Sequence, residues 1–147
     1  MDYETIRAGL QQAVPFSRHL ALEIRDVGDG SGTVRLPEAE HLRNHVGSQH
    51  AGALFSAGES ASGAAVVGTF FAEMGSVIPL VRTATIRFAK LASGPITATA
   101  RIHDPAAARH ALEADGRSEF DVDVELTNAE GNKVAGMTVR WTVRKRS

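Results

Sequence analysis

Apolar residues along the chain change their period from one segment to the next. Ile6, Leu10 and Val14 recur at a spacing of four and Pro15 closes the pattern, which predicts a short amino-terminal helix with one apolar stripe. Residues 20–26 and 33–36 then read as strands on either side of the turn signal GDGSG. A loop over 37–47 leads into a segment of small residues. Ser48 is placed to cap a helix running to about residue 74, because its hydroxyl can accept a first-turn amide.

After that helix the period is two. In VRTATIRFA, Arg82, Ala84, Ile86 and Phe88 alternate with Val81, Thr83, Thr85 and Arg87; in ITATARIH, Ile96, Ala98, Ala100 and Ile102 alternate with polar neighbours. Both predict half-buried strands. DPAAARHALEADG predicts a short helix with Asp104 as N-cap, Pro105 at the first position and Gly116 as its end. SEFDVDVELT and KVAGMTVRWTVR turn Phe120, Val122, Val124 and Leu126, and Met137, Val139, Trp141 and Val143, to one side. NAEGN joins them as a hairpin, and Ala135-Gly136 interrupts the alternation as a bulge does. Pairing across this hairpin sets acidic side chains of one strand against basic ones of the other.

These elements make an α+β domain over residues 1–147 with an antiparallel sheet of five to six strands. Its apolar face needs a cover, and the long helix is the one large element available. Twelve of the fifteen residues from 51 to 65 are Ala, Gly or Ser, so a curved sheet can approach the helix backbone closely. The expected architecture is a sheet wrapped around one long central helix.

Charge narrows the function classes. With 16 basic and 17 acidic residues the formal charge is -1, which gives no electrostatic reason to expect nucleic acid as a partner. The absence of cysteine removes disulfides, thiolate catalysis and Cys-ligated zinc. His41, His45 and His50, with Glu38 and Glu40 nearby, match no zinc ligand spacing, and neither a metal nor a cofactor is expected. MDYETIRAGLQQ lacks the basic flank and apolar run of a signal peptide, so a cytoplasmic location is expected. The helix from residue 51 is nearly long enough to span a bilayer, but it is only weakly apolar and carries Glu59; no membrane partner is expected.

Glu59 is the single charged side chain between Arg43 and Glu73. Taken alone, it fits an exposed helix position or an ion pair, and Asn44 fits a local turn bond. Together, Asn44, Gly47, His50-Ala51-Gly52 and Glu59 have the spacing of a motif in the acyl-CoA thioesterases of the phenylacetate-pathway (PaaI) type, and nearly the whole chain resembles these members of the hotdog-fold superfamily. Ala51 stands where the family has the first Gly after the His, and Glu59 where many relatives have Asp. The position of a water-holding Ser or Thr in some relatives falls near Val81, with Thr83 and Thr85 beside it.

The resemblance implies hydrolysis of an acyl-CoA or related acyl thioester by a homodimer or homotetramer. The amides of Ala51 and Gly52, at a helix amino terminus, would polarise the carbonyl. Glu59 would be base or nucleophile across the subunit boundary, with a pKa raised if it is desolvated. Asn44 would hold water or thioester, and His50 would orient the carbonyl or fix the loop. Gly47, His45, Phe55, Thr83, Arg82, Arg87 and Lys90 are candidates for the substrate channel, with Arg43 a further candidate for phosphate and Phe70 and Phe71 for the acyl tunnel. Two other readings remain: a hotdog hydroxyacyl-thioester dehydratase using His45 and Glu59, and a non-catalytic module that binds acyl-CoA or lipid.

Overall fold

In the structure, a computed structural model that describes residues 2–147, the Asp2 carboxylate accepts the Thr5 amide and starts helix α1, Tyr3–Ala13. Of the expected stripe, Ile6 is buried, Leu10 half-buried and Val14 exposed. Pro15 does not simply end this helix; it opens a second one, α2, Pro15–His19. Proline has no N–H to lose at a first helical position. The first strand, β1, therefore starts later than expected and covers Glu23–Gly28. Strand β2, Ser31–Leu36, starts earlier, because the turn is a tight hairpin in which Gly28 pairs with Ser31.

Helix α3 is Ala51–Phe70 and ends in a 3-10 turn, Phe71–Glu73, rather than continuing to Met74. Its N-cap is His50, not Ser48. The Ser48 hydroxyl is occupied elsewhere: it donates to the Ala92 carbonyl at 3.0 Å and accepts the Ala92 amide at 2.9 Å, deep under the loop before β4. Strand β3, Val77–Phe88, is followed by β4, Ile96–Ile102. Helix α4, Pro105–Asp115, has the expected ends: Asp104 accepts the Ala107 amide, and Gly116 takes the left-handed conformation at φ 72°. Strands β5, Arg117–Thr127, and β6, Lys133–Lys145, form the hairpin.

The six strands make one antiparallel sheet in the order β1-β2-β4-β5-β6-β3. Helix α3 lies on its inner face, chiefly against β2 and β4. The small-residue content of α3 has a direct steric reason: a Cβ at Gly32 would lie 2.5 Å from the Ala61 carbonyl oxygen, so strand and helix backbones nearly touch. The buried Thr69 hydroxyl adds a tie by accepting the Gly30 amide at 2.9 Å.

Three strand expectations change with the pairing. Opposite charges do meet across β5 and β6, with Asp121 facing Arg140 at 3.4 Å, but Glu125 faces Gly136. The bulge near Ala135-Gly136 falls one residue earlier: those two pair in register with Leu126 and Glu125, and Val134 is the extra residue. In β3 the register shifts at Arg82, so Val81 opposes Trp141 while Thr83 opposes Arg140. Arg82 is therefore out of phase with Ala84, Ile86 and Phe88. The half-burial expected for this strand holds at Ala84 and Ile86, which pack partly buried against the core, and not at its bulge or its end, where Leu80 through Thr83 and Phe88 are exposed. β3 is a sheet edge with β6 as its one neighbour.

Candidate active site

The loop before α3 is a tight turn built on Asn44. Its side-chain Oδ1 accepts the amides of Val46 and Ser48, each at 3.0 Å, and its backbone amide donates to the Ser48 carbonyl at 2.7 Å. Asn44 thus does make the local turn bonds its residue type favours. Gly47 supplies the turn's positive φ of 78°, a conformation costly for a side-chain-bearing residue. His45 and Val46 stand exposed at the tip. Gln49 is buried and its amide nitrogen donates to the Pro37 and Gly94 carbonyls, which anchors the loop to its neighbours.

His50 then caps the helix. Its Nδ1 accepts the Gly52 amide at 2.8 Å, so one of the two amides expected to face substrate is already paired. The Ala51 amide has no partner among the described residues. It is an exposed donor in the first turn of a 20-residue helix, where the helix dipole favours negative charge.

Glu59 is the single charged side chain of α3. It is half-buried and, among the described residues, its carboxylate has no hydrogen bond or ion pair. Burial pushes its carboxyl up from the ordinary value, since desolvation penalises the charged form. The side chain lines a mostly apolar cavity of about 200 Å³, bounded by Leu10, Val14, Ser17, Pro79 and Trp141 among others. Trp141 is held in place there: its indole Nε1 donates to the Ser62 hydroxyl at 2.9 Å, and that hydroxyl donates to the Glu59 carbonyl at 2.7 Å. The ring lies over Gly63, where a Cβ would meet its nearest carbon at 3.6 Å, an ordinary contact.

The motif residues thus fall into two places. Asn44, Gly47, His50, Ala51 and Gly52 gather at the start of α3. Glu59 lies eight residues further on, about 12 Å along the axis at the usual helical rise. Phe55, on the same stripe of α3 as Glu59, is partly exposed. Thr83 and Arg87 lie on the edge strand β3, Arg82 is its bulged residue with Nε 3.9 Å from the Glu119 carboxylate, and Lys90 is in the exposed loop after it. None of these four lines the Glu59 cavity. Arg43 is paired with Glu38 at 3.0 Å. Phe70 is fully buried and stacks on Phe120, with ring centroids 5.6 Å apart, so it is core. Phe71 borders a neighbouring groove. Sequence patterns gave no warning of Trp141, Ser62 and Leu10 as surroundings of Glu59. The one usable signal was a lone Trp in a strand, whose indole needs a buried acceptor.

No helix among the described residues is long and apolar enough to cross a membrane. Among curated proteins, none matches this chain in sequence. The family model described as a domain of unknown function (DUF4442) matches residues 3–143. A crystal structure of a protein of unknown function from Pseudomonas aeruginosa, described as a probable thioesterase, superposes with a TM-score of 0.85 at 27% identity, covering 97% of this chain and 95% of that one. The Escherichia coli PaaI protein from the phenylacetic acid degradation operon gives 0.73 at 19% identity over 97% and 93%. A thioesterase from Staphylococcus aureus gives 0.72 at 21% over 89% and 99%. The chain belongs to the DUF4442 family and has the hotdog fold, its six-stranded antiparallel sheet curved around α3.

Proposed function

We propose that the chain acts as one domain that hydrolyses acyl thioesters, with acyl-CoA as the substrate class. The observation that carries this reading is Glu59, an unpaired and desolvated carboxylate lining an apolar cavity. A carboxylate kept for stability would be expected to have a partner, whereas a base or nucleophile must be free to meet substrate. The probable thioesterase from Pseudomonas aeruginosa, similar over nearly the full length, supports the same reaction class.

In this reading Glu59 takes a proton from a water whose oxygen adds to the thioester carbon, or adds to that carbon itself. The Ala51 amide receives the negative charge that develops on the carbonyl oxygen. The carbon–sulfur bond then breaks: on the water route the thiolate leaves with the proton that Glu59 took, and on the nucleophile route it takes a proton from water, whose hydroxide hydrolyses the acyl–Glu59 anhydride to free acid and restores the carboxylate. One carbonyl cannot touch two groups about 12 Å apart on a single rigid helix, so the working unit is a homodimer in which Glu59 of one copy meets the Ala51 amide of the other. The uncovered edge β3, with exposed Leu80, Val81 and Phe88, supports such pairing, because free apolar edges are templates for another strand.

Release of free thiol from a panel of acyl-CoAs tests the reaction. Release by the native chain and its loss in Glu59→Gln are expected. Hydration or dehydration of the acyl chain without thiol would point to the dehydratase with His45, and tight binding without either product would point to a binding module. The shared site has its own test. A 1:1 mixture of Glu59→Gln and Ala51→Pro chains, each inactive alone, should regain about a quarter of the native activity, since half the random dimers carry one intact site of two.

A further inference from the structure

Among the less buried positions of α3, Phe55, Glu59, Gly63 and Val67 form one stripe, continued by Phe71. Helix α1 crosses this stripe from Glu59 onward and borders two adjoining spaces, a cavity and a more open groove. The first, about 200 Å³, contains the Glu59 side chain in its wall; the second, about 340 Å³, is walled by Ile6, Gly9, Phe71 and Met74. Leu10 from α1 and Val67 from α3 line both. They form a partition between two mostly apolar spaces arranged away from the carboxylate. Thr5 is the one side chain in the second wall that carries a hydroxyl.

We propose that this line of cavities is the acyl tunnel and that Leu10, with Val67, sets the length of acyl group the protein accepts; the inference rests on the thioesterase reading of Glu59. A carbonyl held at Glu59 sends its acyl group into the first cavity. An apolar cavity of about 150 Å³ takes a benzene ring, so one of about 200 Å³ takes about eight carbons beyond the carbonyl, as a chain or as a single ring. A longer chain meets the Leu10–Val67 partition. The substrate class is therefore medium-chain or single-ring acyl thioesters, with the second cavity closed to them while Leu10 is in place.

The test measures kcat/KM across straight-chain acyl-CoAs for the full chain and for Leu10→Ala, Leu10→Trp and Val67→Ala. In the native protein each added methylene should raise kcat/KM about fourfold until the cavity is full, after which the gain stops near eight carbons. The break should move to longer chains in Leu10→Ala and Val67→Ala and to shorter ones in Leu10→Trp, each profile being read against the same variant's shortest substrate. A break at the same length in all four proteins, with hydrolysis still dependent on Glu59, overturns the tunnel and leaves the thioesterase reading standing. Non-hydrolysable S-alkyl-CoA thioethers of the same lengths give a readout that needs no turnover. Trp141 is the single tryptophan and lines the first cavity, so in the native, Leu10→Ala and Val67→Ala proteins its fluorescence should respond to binding with the same length break and the same shifts. If no acyl-CoA is hydrolysed yet these breaks appear, the reaction fails and the tunnel stands; if thioethers of every length leave the fluorescence unchanged, the tunnel fails.

Discussion

Replacing Ala51 by proline removes one hydrogen-bond donor and little else. Ala51 is the first residue of α3, its side chain is exposed and its amide is unpaired. Proline is well tolerated at a first helical position, where its missing N–H breaks no helical bond. It also restricts the preceding residue to extended backbone, and His50 is already there at φ -65° and ψ 141°. The cap itself survives, because the bond from the Gly52 amide to His50 Nδ1 does not involve residue 51. Stability should change by less than about 1 kcal/mol, with any gain coming from a stiffer unfolded chain. If the Ala51 amide receives the developing charge, kcat should fall by about 10²–10³ with a smaller change in KM, the usual cost of losing one such donor. Thermal unfolding and thiol release measured on the same samples separate the two effects. An Ala51→Pro chain that is folded, as stable as native and fully active would refute the amide's role.

Other outcomes follow from the same geometry. Glu59→Gln should lower kcat/KM by about 10²–10⁴ in the thiol-release assay. The same substitution should also stabilise the fold at neutral pH: burial raises the folded-state pKa of Glu59, so its favourable contribution is complete below the ordinary carboxyl value and is lost as pH rises through the folded value. Denaturant midpoints of the two proteins should therefore separate on going from acidic to neutral pH, and a constant difference would contradict the assignment. Ser62→Ala leaves the Trp141 indole N–H, now bonded at 2.9 Å, without an acceptor in a buried site. The expected loss is about 1–2 kcal/mol after allowing for alanine's better helix propensity, or a fall in Tm of about 2–8 °C, with altered Trp141 fluorescence. An unchanged Tm and spectrum would show that the bond is dispensable. Gly32→Val drives side-chain atoms against the Ala61 backbone and should cost at least about 1–3 kcal/mol in urea unfolding.

What the sequence made legible was local. The ends of α4 could be read because Asp104, Pro105 and Gly116 act on groups within three or four residues, and the β5–β6 hairpin because its alternation repeats over whole strands. What it hid depended on distant partners. Ser48 looks like a cap until Ala92, 44 residues away, takes its hydroxyl. The phase of β3 breaks at Arg82 because the register with β6 shifts there, which no period within β3 announces. At the site, the spacing from Asn44 to Glu59 was visible, whereas the cavity was not. Its walls come from α1, α2, β1, α3, β3 and β6, and only the fold brings Leu10, Pro79 and Trp141 to one carboxylate.

The placement of Glu59 also shows how a helix built for contact with a sheet can carry a charge. Where α3 meets β2 there is no space even for a Cβ at Gly32, and a carboxylate on that side would be buried without solvent or partner. The stripe from Phe55 to Val67 faces away from this contact and is roofed loosely by α1, which leaves a cavity instead of a packed interface. Asp29, Asp121 and Glu119 have partners in Arg109, Arg140 and Thr142, whereas Glu73 shares with Glu59 the lack of one among the described residues and keeps a buried Oε2 unpaired, though it lines no part of this cavity. Arg7, Arg18 and Arg25 lie on or near the amino-terminal elements, but Arg7 pairs with Glu4 and Arg25 with Glu23, and none of the three lines the cavity. An unpaired carboxylate there lowers stability at neutral pH, and glutamine, of nearly the same shape, would relieve the penalty. Packing therefore favours glutamine at this position, and chemistry favours glutamate.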